Sequence, residues 1–240
     1  MHAKKSPYLV IGNGRLANHF KFYLELQSIP YTQWWRGSCI DLDASLKQAE
    51  KILLLISDDA IEPFLKANRS KANPSVWIHC SGSLETPLAE GAHPLMTFGE
   101  TLYDLNTYQS MPFITTLGRK CFNELFPAFI NPSQAISKDK KVLYHAWASM
   151  AGNFSSMLWN EYFQRLEQEF HIDRHLAAPY LNQIFNNIRY SHSPMTGPLV
   201  RGDNQTIEAH INSLHDDSFK HVYSAFTGAF RHEDSLKESP

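Results

Sequence analysis

An α/β domain with a mostly parallel sheet, followed by an all-α domain, is the fold this sequence predicts. Three observations carry it. Short apolar runs alternate with helix-like stretches over the first half of the chain. A glycine-rich turn joins the first of those runs to the first helical stretch. After about residue 138 the strand-like runs cease. Strands alternating with helices imply right-handed crossovers and parallel pairing. The change of character divides the 240 residues into 1–137 and 138–240, lengths that suit two domains.

Tyr8–Gly12 reads as the first strand. Arg15–Gln27 reads as a helix, with Leu16, Phe20, Tyr23 and Leu24 spaced as one buried stripe. Tyr31–Trp35 is a second strand. Ile52–Ile56 is a third, and its unbroken aliphatic run suits a strand covered on both faces. Asp59–Asn68 is a short helix, Val76–Cys80 a fourth strand, and Ala92–Thr97 and Pro112–Thr116 two more. Val142–Gln168 follows as a long helix, with Tyr144, Trp147, Ala148, Ala151, Phe154, Leu158 and Tyr162 along one side. Further helices fall at Arg174–Tyr190, Gln205–Leu214 and Asp216–Phe230. Between the first two of these, Ser191–Asp203 holds Pro194, Gly197, Pro198 and Gly202 and reads as a loop. The polar tail from Arg231 to Pro240 is expected to fray.

Composition excludes several classes. The 22 basic side chains are offset by 24 acidic ones, so the chain lacks the strong positive charge of a bulk nucleic-acid binder. Aromatic residues make up 12%, too many core-formers for a disordered chain. Lys4 and Lys5 precede only the short run Tyr8–Ile11, too little for a signal-peptide core. The longest aliphatic run, Ile52–Ile56, is far below the ~20 residues of a membrane helix. Cys39, Cys80 and Cys121 form no C-x-x-C and are odd in number, which argues against disulfides and zinc and for reduced thiols in the cytoplasm. No nucleic-acid, membrane or metal partner is therefore expected. The large apolar groups of the helical half, among them Trp147, Phe154, Trp159, Tyr162, Phe163, Phe185, Phe219, Tyr223 and Phe226, exceed what one layer on the first domain would bury, so a second copy of the chain is expected as a partner beside a small-molecule substrate.

The first chemical motif is Gly12-Asn13-Gly14-Arg15-Leu16-Ala17, between the first strand and the first helix. Gly12 permits the tight turn, Gly14 lets the backbone approach a pyrophosphate, and Ala17 allows close helix–strand packing. The helix N-terminus offers free N–H groups to the phosphates. At the end of the second strand an NAD-binding site carries an acid for the ribose hydroxyl. Here the strand runs into Trp34-Trp35-Arg36-Gly37-Ser38, with no acid before Asp41. Arg36 can pair with a 2′-phosphate and Ser38 can add a hydrogen bond, which favours NADP. The third and fourth strands end in Ser57-Asp58-Asp59 and His79-Cys80-Ser81-Gly82. Ligands of open α/β sheets lie at such carboxyl ends. Ser57, Asp58, His79, Ser81 and Gly82 are therefore cofactor-site candidates, with Asp58 or Asp59 also a helix cap.

These elements, together with His93-Pro94-Leu95-x-x-Phe98 and Thr196-Gly197-Pro198-x-x-Arg201-Gly202-Asp203, occur in one order over about residues 7–215. The set resembles a family of NADP-dependent oxidoreductases in the wider 6-phosphogluconate dehydrogenase-like group, beside pyrroline-5-carboxylate reductase. The resemblance implies a Rossmann-like NADP-binding domain over 1–137 and a helical substrate and dimerisation domain over 138–240. It implies no particular substrate. The related hydroxyacid dehydrogenases use a lysine four residues before an asparagine on the long helix. Here Ser149 stands four before Asn153, a departure from that mechanism.

On the long helix, Lys141, His145, Ser149 and Asn153 recur at intervals of four, which keeps neighbours on one face. Histidine titrates near neutrality, so His145 is the candidate proton donor and Asn153 its companion. His93, extended before Pro94, and Ser149 and Arg201 are candidate substrate contacts. Asp203 is expected to cap the helix at Gln205–Leu214. His171 and His175 are spaced as a metal pair but lack an acidic partner at motif spacing, and read as solvated. Two functions fit: hydride transfer between NADP(H) and a small carbonyl or imine, or a non-catalytic NADP(H) sensor.

Overall fold

The structure is a computed structural model and describes residues 8–237. The chain parts into two compact units, residues 1–158 and 159–240. In the first, seven strands form one sheet in the order β2-β1-β3-β4-β5-β6-β7. They are β1 Tyr8–Ile11, β2 Tyr31–Trp34, β3 Lys51–Leu54, β4 Val76–His79, β5 Glu90–Pro94, β6 Phe113–Thr116 and β7 Ser133–Ile136. All pairs are parallel except β5 with β6.

The buried side chains of β1, β3 and β4 split by parity, as strand geometry demands. Val10, Leu53 and Ile78 pack with Phe20, Tyr23, Leu24, Phe113 and Phe126 on one face. Leu9, Ile11, Ile52, Leu54 and Trp77 pack with Leu46, Ile61 and Leu65 on the other. The aliphatic run of the third strand is thus covered on both sides, as expected. Helix α1, Arg15–Leu26, buries Ala17, Phe20, Tyr23 and Leu24, and Leu16 is half-buried. It also buries His19, whose ring nitrogens face the Gly99 carbonyl and the Tyr108 hydroxyl.

Short helices appear where none was expected: α2 Leu42–Gln48, α4 Leu105–Ser110 and α5 Phe122–Leu125. Asp41 and Asp104 start the first two by accepting backbone N–H groups. The seventh strand also escaped prediction. Ser133–Ile136 pairs on one side only, and its first two residues are exposed, so no apolar alternation marks it. Helix α3, Asp58–Asn68, has Ser57 at its N-cap and both acids in its first turn, so neither Asp58 nor Asp59 is the cap.

The long helix departs from expectation in two ways. It is α6, Lys141–Ser149, then a π-helical segment, Met150–Phe154, then α7, Ser155–Gln168. Its sides are also inverted. Lys141, from the polar series, is buried, whereas Trp147 and Phe154 of the apolar series are more than half exposed. The sheet ends at Ile136, close to the expected boundary at 137, yet the first compact unit runs to Leu158. The cause is the set of contacts α6 makes with the loop after β4. Lys141 Nζ donates to the Leu84 carbonyl (2.7 Å) and to Glu85 Oε2 (3.1 Å).

Among the described residues the second unit contains helices and no strand: the rest of α7, α8 Ala178–Tyr190, α9 Pro198–Arg201, α10 Asn204–Ser213 and α11 Phe219–Lys237. Arg165 bridges Glu161, Glu169 and Asp217. Arg174 lies over the Phe163 ring, and Trp159 packs on Phe163 and Tyr180. The expected loop at 191–203 contains α9, a single turn that ends at Gly202 with φ +71°. The helix expected to end at Phe230 continues to Lys237, so the tail from Arg231 is largely helical; residues 238–240 of that tail lie outside the described residues. Among the described residues no helix is long and apolar enough to cross a membrane.

Candidate functional site

The β1–α1 turn is built from two glycines with different reasons to be glycine. Gly12 has φ +130°, and a Cβ there would sit 2.2 Å from the Leu55 carbonyl oxygen. Backbone conformation and packing both demand it. Gly14 has an ordinary φ of −80°, and a Cβ would meet nothing within 4 Å. It is the N-cap of α1. Gln33 Nε2 donates to the Gly12 carbonyl (2.8 Å) and to Asn13 Oδ1 (3.1 Å), fixing the turn against β2.

This turn heads a cleft of about 920 Å³ at the point where strand order reverses, between β1 and β3. Such switch points are where open α/β sheets bind ligands. Gly12, Asn13, Gly14, Arg15 and Leu16 line one part of it, and Ser57 another. Trp34, Trp35 and Arg36 close the β2 side, and Phe64 and Asn68 of α3 the far wall. Arg36 is exposed and has no ion-pair partner among the described residues. Ser38 does not line the cleft; its hydroxyl accepts from the Trp35 N–H (3.4 Å) in a turn. Asp41, the first acid after β2, is committed to capping α2.

A second cleft, of about 420 Å³, lies beside α6. His93 and Leu95–Thr97 line it from the end of β5, and His145, Ser149 and Asn153 from the helix and its π-helical segment. The expected polar series thus meets in one place except for Lys141, which anchors the helix instead. His93 Nδ1 is 2.9 Å from the Tyr144 hydroxyl, and its ring stands edge-on to His145 at 5.2 Å. Burial, then the charges of His145 and Lys141, push His93 down to about 4.

A chain of contacts joins the two clefts. Ser57 lines the first. Its neighbour Asp58 accepts from the Ser81 hydroxyl at 2.5 Å, and Ser81 in turn accepts from the Leu84 N–H. Gly82 follows, and a Cβ there would lie 2.2 Å from His145 Nδ1, so only glycine lets that ring settle. His145 lines the second cleft. Asp58, Ser81 and Gly82 therefore sit between the clefts and line neither. His79 is buried, and its Nδ1 has no partner among the described residues. Burial, then the Lys141 charge, lower it to about 4. It lines neither cleft.

Arg201 belongs to the helical unit, where its Nε and Nη2 donate to Asp203 Oδ2 at 2.9 and 2.7 Å. That pair corrects the expected role of Asp203. It stands at the N-cap of α10, but its carboxylate binds Arg201 in place of a helix N–H. His171 and His175 are exposed, as expected, and among the described residues no group of three or more His, Cys, Asp or Glu is placed to hold a metal. Sequence reasoning overlooked Phe64, Asn68 and Thr97 as lining residues, because each reaches its cleft only through the tertiary position of its element.

A parallel sheet with a glycine turn at its switch point, followed by a helical segment, defines a Rossmann-like fold with an all-α C-terminal part. Residues 116–229 match the family model described as a domain of unknown function, DUF2520. Three solved structures share the fold. One, from Bacteroides fragilis and assigned as an NADP oxidoreductase, superposes with a TM-score of 0.76 at 15% identity, covering 95% of this chain and 98% of its own. An imine reductase from Streptomyces aurantiacus gives 0.63 at 17%, covering 95% and 94%. Pyrroline carboxylate reductase from Plasmodium falciparum, with NADP bound, gives 0.56 at 11%, covering 97% and 98%. No curated protein matches the chain in sequence.

Proposed function

We propose that this protein is an NADP-dependent oxidoreductase acting on a small carbonyl or imine compound. The observation that carries the reading is the contrast between the two turn glycines. Gly12 is explained by the fold, whereas Gly14 is explained by nothing in the chain and leaves a space the size of a side chain at a helix N-terminus. A pyrophosphate fits that space. Arg36, exposed at the β2 end of the same cleft, suits the 2′-phosphate of NADP. The structural neighbours that are named for NADP or for imine reduction support the same reading.

When bound, the cofactor supplies or accepts hydride; the chain's residues do the rest. Gly14 and the head of α1 hold the phosphates. The Ser57–Asp58–Ser81–Gly82 contacts lead from that cleft to the second one. There His145 is the proton donor, Asn153 and Ser149 orient the substrate, and His93 contacts it. The histidines, Ser149 and Asn153 gathered in the second cleft favour an enzyme over a sensor, since binding a dinucleotide alone requires only the first. The domain assignment that goes with this reading is NADP binding over 1–137 and a helical substrate and dimerisation part over 138–240. Arg201 is a substrate contact that Asp203 holds in place. Exposed aromatic residues of the helical part are covered by a second copy. Three unpaired thiols suit the cytoplasm.

Calorimetric titration with NADPH and NADH, followed by cofactor oxidation against a panel of carbonyl and imine compounds, tests the proposal. Tight NADPH binding with turnover of at least one compound is expected. NADPH binding with no turnover across the panel would favour the sensor, and absence of binding would remove both.

A further inference from the structure

His93 is neutral near pH 7, because burial and the charges of His145 and Lys141 on α6 outweigh Asp58 at the head of α3. A neutral imidazole carries one N–H, and where it sits decides whether the residue donates or accepts. The ring has two nitrogens and two surroundings. Nδ1 is 2.9 Å from the Tyr144 hydroxyl. Nε2 has no hydrogen-bond partner among the described residues, and His93 lines the second cleft.

Two arrangements satisfy the 2.9 Å contact. In one, Nδ1–H donates to the phenol oxygen, and the phenol proton then needs another acceptor. Among the described residues Tyr144 has none. In the other, the phenol donates to a bare Nδ1, and one bond satisfies both groups. A half-buried hydroxyl favours the arrangement that uses its proton. The perpendicular ring contact at 5.6 Å holds the two side chains in this relation.

We propose that Tyr144 is a positioning residue that locks His93 in the Nε2–H tautomer, so that His93 donates a hydrogen bond to the lone pair of a carbonyl oxygen or imine nitrogen in the cleft. This rests on the oxidoreductase reading for its substrate, but not for the tautomer. The role differs from that of His145. His93 polarises the acceptor atom and keeps its proton, and its Nδ1 stays bare to accept from Tyr144 through neutral pH because the ring does not charge there. A substrate already protonated at nitrogen offers no lone pair and is a poor match.

The test is read on the free protein, without cofactor or substrate. Long-range ¹H–¹⁵N correlation spectra of ¹⁵N-histidine-labelled protein separate a protonated from a bare ring nitrogen, and His93→Gln assigns the signals. The expected pattern is protonated Nε2 and bare Nδ1 over about pH 6 to 8. In Tyr144→Phe, the His93 Nδ1 signal should shift and the ring should become a tautomer mixture, with circular dichroism and NADPH affinity unchanged. A protonated Nδ1 in the wild-type protein overturns the proposal, as does an unaltered His93 pattern in the variant. The wild-type spectrum decides the tautomer even if the variant does not fold. Should the tautomer be as expected while NADPH fails to bind, the oxidoreductase reading falls and the Tyr144–His93 lock stands.

Discussion

At the residue scale, the proposed preference for NADP turns on Arg36. Its exposed guanidinium is unpaired among the described residues and borders the cleft at the end of β2. A charge-assisted hydrogen bond contributes about 1.5–3 kcal/mol, so Arg36→Ala should weaken NADPH about 10–100-fold in a binding titration. NADH affinity should change little; equal weakening of both would mean that Arg36 supports the turn or the adenine. His145→Ala should lower turnover of any substrate found by about 10²–10⁴-fold at nearly constant NADPH affinity. His79 makes a prediction about stability. Burial and the Lys141 charge lower it from 6.5 to about 4. Between those values the unfolded chain binds a proton that the native state does not. Stability from this group is therefore complete above about 6.5 and is lost as pH falls toward 4. Urea denaturation should find the protein about 2 kcal/mol less stable at pH 5 than at pH 7 through this group. His79→Phe should flatten that dependence by the same amount, leaving the share of His93, which titrates in the same window.

At the scale of elements, the β1–α1 turn separates folding from binding within three residues. Gly12→Ala places a Cβ against the backbone of Leu55 at a φ of +130°. Leu55 cannot retreat, because its N–H donates to the Ile11 carbonyl in the sheet. A loss of about 3–5 kcal/mol in chemical denaturation is expected. Gly14→Ala meets open space at a φ any residue adopts, so stability should change by less than about 1 kcal/mol. NADPH affinity should nevertheless fall at least tenfold, since the added methyl group occupies the phosphate position. Comparable destabilisation by both substitutions would refute this division. The long helix makes a related point. Its π-helical segment at Met150–Phe154 adds a residue to the turn, yet Asn153 still reaches the cleft of His145 and Ser149. Such segments are frequent at functional sites.

At the scale of the molecule, the proposed dimer rests on apolar side chains of the C-terminal part. Trp147, Phe154, Tyr162, Phe185 and Phe226 are all exposed, as are Tyr180, Ile188 and Tyr190 of α8. Trp159, Phe163, Phe219 and Tyr223 find partial cover within the chain. Large exposed apolar groups in this number mark an interface, and a twofold dimer is the commonest solution. Light scattering at micromolar concentration should give twice the chain mass of 27.5 kDa; a monomer mass would count against the dimer. Charged substitutions at Phe185 and Ile188 should shift the mass downward.

The sequence by itself determined the class of fold, the glycine turn and the division between sheet and helices. These depend on local spacing: a run of five aliphatic residues, two glycines one residue apart, an apolar stripe on α1. It also selected the polar side chains of the second cleft, because a period of four survives into α6. Only the tertiary structure decided what each group faces. The edge strand β7 and the helices α2, α4 and α5 carry too little periodicity to be read, and the antiparallel β5–β6 pair depends on the path of the connection. Burial of Lys141 runs against the amphipathic pattern, because Glu85 and the Leu84 carbonyl supply partners from 56 and 57 residues away. The exposure of Trp147 and Phe154 follows from the same inversion. Tyr144 reads as one more apolar residue in the stripe, and its link to His93 exists only because β5 ends beside α6. Hydrogen bonds between residues this distant in sequence leave no local pattern, and they are what separates the residues lining the clefts from those that hold the clefts in shape.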